Sequence, residues 1–99
     1  MGDIVGRPGR EIIAKYLQNI KDRYSIDLVI ANYENASHGF GLTKKNANEL
    51  LGYGIDIMTG GNHSWDKKEI FDMFDSYPLL RPINYPDKSP GRGWIELEI

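Results

Sequence analysis

Three short polar clusters, Gly2-Asp3, Glu34-Asn35 and Gly61-Asn62-His63, each follow or end an apolar run. They recur at intervals of about 30 residues, the length of one strand-plus-helix unit. A chain with that rhythm is constrained to an α/β fold, a mostly parallel sheet flanked by helices, whose strands return their carboxyl ends to one edge. Ligands bind at that edge in open α/β sheets. The polar clusters are therefore read first as a site and only second as turns.

The segments between the clusters support this reading. After Pro8-Gly9 a helix is expected from about Arg10, with Ile12, Ile13, Tyr16, Leu17 and Ile20 on the face that packs on the sheet. Leu28-Val29-Ile30-Ala31 is a continuous β-favouring run, as in a strand covered on both faces. Thr43 can cap a second helix that carries Ala47, Leu50 and Leu51 inward, and Gly52 or Gly54 supplies its left-handed stop. A strand follows at Ile55 to Thr59. Asp66 with Glu69 forms a capping-box pattern before a third helix with Ile70, Phe71 and Phe74 as its buried face. Leu79-Leu80 is a short strand. Pro82 to Pro90 is an ordered irregular loop anchored by Ile83 and Tyr85, and Trp94 to Ile99 reads as a half-exposed strand. Met1 to Val5 is short for the first strand of such a sheet, and the beginning looks trimmed.

Composition narrows the chemistry. A chain of 99 residues with 40% apolar and 26% charged residues is expected to form one globular domain. A net charge of −2 without a long Lys/Arg run argues against a duplex nucleic-acid surface. No apolar run is long enough to span a membrane, and the start lacks a signal-peptide pattern, so a cytoplasmic protein with no membrane partner is expected. With no cysteine, any metal site must use carboxylate, amide and imidazole ligands. Singly, each cluster also has an ordinary reading: Asp after Gly forms turns, Glu and Asn bond local backbone, and Gly-Gly-Asn-His makes a capped turn with a surface histidine. Jointly, they supply what a two-metal phosphoesterase centre needs, because hard oxygen donors hold divalent cations and imidazole favours iron or manganese over magnesium.

The motifs Gly2-Asp3-Ile4-Val5-Gly6-Arg7-Pro8-Gly9-Arg10, Ile30-Ala31-Asn32-Tyr33-Glu34-Asn35-Ala36, Gly39-Phe40-Gly41, Gly61-Asn62-His63-Ser64-Trp65-Asp66 and Leu80-Arg81-Pro82-Ile83-Asn84-Tyr85-Pro86 cover essentially the whole chain. Together they resemble the YmdB-like bacterial metallophosphoesterases. The resemblance implies a calcineurin-like α/β sandwich with two divalent metal ions, iron or manganese, and phosphodiesterase activity on 2′,3′-cyclic nucleotides. It assigns Asp3 to the first metal, Glu34 to a bridge between the two and Asn62 to the second. Asn35 would bind the substrate phosphate, and His63 would be the acid that assists the leaving oxygen. In such an enzyme the two cations would supply a nucleophile at neutral pH for in-line attack on phosphorus.

The sequence also departs from that pattern. Members of the family run to roughly twice this domain length or more, and their second half brings further histidine ligands, including a late His-x-His pair. The resemblance therefore implies that residues 1–99 form the N-terminal half of a single metallophosphoesterase domain, with a missing C-terminal half or a partner chain supplying the histidine ligands. Such a piece alone would be inactive and prone to self-association. Val5 stands where the wider superfamily has a histidine, as is usual for this subgroup. His38 and Tyr33 occupy places where small residues are common; His38 reads as solvent-facing, and Tyr33 as narrowing the pocket or simply packing. Arg81, Asn84 and Tyr85 either border the phosphate or satisfy the backbone of the Pro-rich loop, and Trp65 packs beneath the His63 loop. A rival class is a non-catalytic α/β interaction or scaffold module. A nucleotide-binding P-loop at Gly2 to Gly9 fails, because there is no Gly-Lys-Ser/Thr and Pro8 removes a needed donor.

Overall fold

The computed structural model describes residues 1–98. Three parallel strands, β1 (Ile30–Asn32), β2 (Ile57–Thr59) and β3 (Leu79–Leu80), lie in the order β1-β2-β3. Single bridges extend the sheet at both edges, from Asp3 to Asn32 on one side and from Leu80 to Arg92 on the other, both parallel. Helix α1 (Gly6–Tyr24) runs between the Asp3 bridge and β1, α2 (Lys44–Gly52) connects β1 to β2, and α3 (Ile70–Met73) connects β2 to β3. Strands added in sequence order with crossovers of one hand place their helices on one face. The core confirms it: Ala31, Met58 and Leu79 share one sheet face and cluster with Ile13 and Leu17 of α1, Ala47 and Leu50 of α2, and Ile70 and Met73 of α3.

The opposite face carries Ile30, Asn32, Thr59 and Leu80 and is more open, with Ile30 43% exposed. The run Leu28 to Ala31 is thus covered on its helix side, where Val29 and Ala31 are buried, rather than on both faces. Along α1 only Ile13 and Leu17 of the expected face are buried, while Ile12, Tyr16 and Ile20 are exposed. Lys21 and Arg10 reach toward the α2 side, to the Gly54 carbonyl and to Glu49. The exposed residues lie on the other flank of α1. α1 begins before Pro8 rather than after it, since N–H groups of a first turn lack helical acceptors and proline costs nothing there. It ends at Ser25 in the left-handed conformation, whose N–H bonds the Lys21 carbonyl.

Thr43 caps α2 as expected, its hydroxyl accepting the Asn46 N–H at 3.2 Å. α3 differs from expectation. It is a single turn, and its buried residues are Ile70 and Met73, with Phe74 buried just beyond, while Phe71 faces solvent. The capping box does not form, because the Asp66 carboxylate is held by His63 instead. Residues 94–98 form no strand, and the sheet edge is supplied by Arg92; Ile99 lies outside the described residues. No helix among the described residues is long and apolar enough to cross a membrane.

Candidate active site at the carboxyl edge of the sheet

The ends of β1 and β2 are joined by side-chain bonds before any functional group is placed. The Asn32 amide donates to the Gly60 carbonyl at 3.3 Å, and its oxygen accepts the Glu34 N–H at 3.1 Å, turning the chain sharply after β1. The Asn35 carbonyl accepts the N–H groups of Gly6 (3.0 Å) and Gly39 (3.1 Å), which ties the same loop to the start of α1. These bonds bring the Glu34 carboxylate onto Gly61. A Cβ on Gly61 would collide with the Glu34 carboxylate, so only glycine permits the approach. Glu34 Oε2 then accepts the His63 N–H at 3.2 Å.

His63 is fixed on its other side as well. Its Nδ1 lies 2.7 Å from Asp66 Oδ2, which leaves Nε2 as the nitrogen free to face a ligand. The ring packs edge-on against Phe40, with centroids 5.7 Å apart. Beneath the loop, the buried Ser64 hydroxyl bonds both the N–H and the carbonyl of Gly61, each at 2.7 Å. Tyr33 is fully buried beside Ser64. It therefore packs below the site and does not narrow the pocket. Its hydroxyl lies near Ser64 without a hydrogen bond of ordinary geometry. Burial pushes its pKa up to about 12; the nearby Ser64 hydroxyl pulls the other way, and the Glu34 charge adds to the rise.

The loops thus unite Glu34 with Gly61-Asn62-His63, with Asn35 adjoining. Asp3 is placed across from Asn32 on the neighbouring strand, exposed at the same edge. Asn62 is exposed and His63 half-buried. Glu34 and Asp3 with the Asn62 amide form a hard donor set suited to divalent cations. It is an incomplete one: among the described residues, no group of three or more His, Cys, Asp or Glu side chains is placed to hold a metal ion. The donors fit part of a metal centre. Asp66 was not legible as a site residue because its spacing to Glu69 mimics a helix start; the His-x-x-Asp spacing was the available signal. Ser64 carried no signal in sequence.

The other candidates lie away from this chemistry. Arg81 is buried and donates to the Pro82 carbonyl at 2.9 Å, serving the Pro-rich loop. Trp65 stacks on Tyr85 at 5.0 Å and donates to the Pro90 carbonyl. His38 is exposed, in the left-handed conformation. A concavity of about 550 Å³ opens between the first turns of α1 and the length of α2. Its arginines are neutralised within the fold, Arg7 by Glu11 at 3.5 Å and Arg10 by Glu49 at 3.8 Å. The sheet edge remains the better candidate, since it gathers the groups that can do chemistry.

The chain is similar to known proteins in sequence and in fold. A protein of Bacillus subtilis (strain 168) named 2′,3′-cyclic-nucleotide 2′-phosphodiesterase is 49% identical over 94 residues, covering 94% of this chain and 36% of its own length. A hypothetical protein from Thermus thermophilus superposes with a TM-score of 0.93 at 43% identity, over 99% of this chain and 38% of that one. A Mycoplasma pneumoniae protein described as a novel phosphatase gives a TM-score of 0.90 at 36% identity, over 99% and 37% of the two chains. The chain spans about a third of the length of the curated relatives it matches. The YmdB-like protein family matches residues 1–99 throughout, and the chain belongs to that family.

Proposed function

We propose that this chain carries the first part of a metal-dependent phosphodiesterase centre that hydrolyses 2′,3′-cyclic nucleotides. The observation that carries the reading is the Glu34–Gly61–His63 junction, where a carboxylate seated on a glycine accepts the N–H of a histidine whose ring is oriented by Asp66. Asp3, Glu34 and Asn62 would hold two divalent cations, iron or manganese, with the remaining ligands coming from a further segment or a partner chain. When bound, the cations supply Lewis acidity toward phosphate oxygens and a nucleophile at neutral pH. The chain's own residues do the rest. The Asn35 amide offers hydrogen bonds to a phosphate oxygen. His63 Nε2, left free by the Nδ1 bond to Asp66, would deliver a proton to the departing 2′-oxygen, and Asp66 would fix the ring for that transfer.

The test joins this chain to the remaining ligands and measures cation content together with hydrolysis of 2′,3′-cyclic nucleotides. Two cations per site and turnover that Glu34→Gln abolishes are expected. Full turnover in Glu34→Gln would overturn the reading. The second reading, a non-catalytic scaffold, draws on the incomplete ligand set of the described residues. It requires that the joined protein bind no divalent cation.

A further inference from the structure

One exposed ring at the site takes no part in this chemistry. Phe40 is 55% exposed, yet its backbone is held firmly. Gly39 and Gly41 on either side have φ of 85° and 65°, which side-chain-bearing residues rarely adopt. The Ser37 N–H donates to the Gly41 carbonyl at 3.0 Å and the Phe40 N–H to the Ser37 carbonyl at 2.9 Å, while the Gly41 N–H bonds the Glu34 carbonyl. Ser37 is itself buried and bonded to Asn46 of α2. This pinned loop holds an apolar ring out in solvent, edge-on to His63 at 5.7 Å and 75°. Trp65 and Tyr85 are not alternatives for the same task, since they already stack on each other.

The geometry points to Phe40 as a specificity-determining residue that receives the nucleobase of the nucleotide whose 2′-oxygen leaves phosphorus. The inference rests on His63 being the proton donor. The group that protonates the leaving oxygen faces the alcohol side of the phosphodiester, so a ring touching that imidazole faces the same side. In a nucleoside 2′,3′-cyclic phosphate that side carries a ribose and a flat base, and an aromatic side chain binds a base by its π-face with little regard to sequence. The substrate class is then a phosphodiester whose leaving alcohol bears a nucleobase. Small cyclic phosphodiesters without one lack this contact.

The experiment compares a nucleoside 2′,3′-cyclic phosphate with the abasic ribose 2′,3′-cyclic phosphate, using the active protein with its full ligand set. The wild-type preference for the nucleoside substrate, as a ratio of kcat/KM, is expected to fall about 10-fold or more in Phe40→Ala, through KM. Phe40→Trp is expected to retain the preference, which separates loss of a stacking face from damage to the loop. Equal kcat losses on both substrates would overturn the proposal, for the ring would then serve only to hold His63. An unchanged ratio would overturn it as well. If the cation-loaded wild type hydrolyses neither substrate, it is the phosphodiesterase reading that fails. A direct readout stands apart from turnover: NMR of the same active protein titrated with adenosine 3′-phosphate should move the Phe40 ring protons, and adding ribose 5-phosphate should not. No shift with the nucleotide would count against the base contact.

Discussion

Gly60 and Gly61 are adjacent, yet each is glycine for a different reason, and the difference separates stability from function. A Cβ on Gly60 would collide with the Ser64 hydroxyl and meet the Tyr33 hydroxyl at 2.8 Å and the Leu80 carbonyl at 2.9 Å. The backbone carbonyl and the buried tyrosine cannot step aside cheaply. Gly60→Ala is expected to destabilise the fold by about 1–3 kcal/mol in denaturant unfolding. A Cβ on Gly61 meets only the end of the Glu34 side chain, which can swing away. Gly61→Ala is expected to leave stability within about 1 kcal/mol while weakening cation binding in the active protein, read by isothermal titration. A Gly61→Ala protein that binds cations normally would remove Glu34 from the ligand set. The loop's other residues divide in a similar way. Asn62→Ala should lower cation content, whereas His63→Ala should keep it and lose about 10²-fold or more in kcat. A p-nitrophenyl ester, whose departing oxygen barely needs a proton, should suffer less from His63→Ala than a ribose cyclic phosphate. Equal losses on both esters would make His63 a phosphate-positioning group, and loss of cations would make it a ligand.

The junction of β1 with the loop after β2 shows why elements were readable in the sequence and their edges were not. The strand-and-helix alternation was legible because each buried strand is a short β-favouring run and each polar cluster follows one, at Glu34 and at Asn62. Thr43 was legible as a cap because its chemistry is local. Ile12, Tyr16 and Ile20 misled because helical spacing marks an apolar face without telling how much of it the sheet can reach. Asp66 misled because one carboxylate can satisfy either a helix start or a histidine, and tertiary contact decided for His63. Tyr33 could not be placed from sequence, since a large residue beside a site carboxylate can point up into the pocket or down into the core. Its burial gives a pH signature. The folded state raises its pKa from 10.0 to about 12, so it favours the neutral phenol. That contribution is complete below about pH 10 and is lost as pH rises toward the folded value. Thermal unfolding of the wild type and Tyr33→Phe should therefore diverge between pH 10 and 12, the wild type losing stability that the variant keeps. At neutral pH the variant should be no less stable, because the hydroxyl it removes is buried without a hydrogen bond. Parallel pH profiles would mean that the phenol is hydrated in solution.

At the scale of the whole molecule, the site has more geometry than ligands. Glu34, Asn35 and His63 are held by backbone bonds and by a glycine contact, so these groups of the proposed centre are organised by the chain itself. Organisation alone does not give affinity. Two carboxylates and one amide leave a divalent cation short of the donors it prefers, and no third His, Asp or Glu joins them among the described residues. The isolated 99-residue chain is therefore expected to bind manganese or iron(II) weakly and to show negligible phosphodiesterase activity. Isothermal titration with manganese and a turnover assay on a 2′,3′-cyclic nucleotide check both points. On the proposed reading, adding a polypeptide that supplies the further ligands should tighten cation binding and restore turnover together, because both would depend on the same completed coordination spheres. If binding tightens without turnover, the cations are structural and the catalytic role of His63 falls. Two tightly held cations on the isolated chain would show that the described residues suffice, and the need for ligands from elsewhere would be withdrawn.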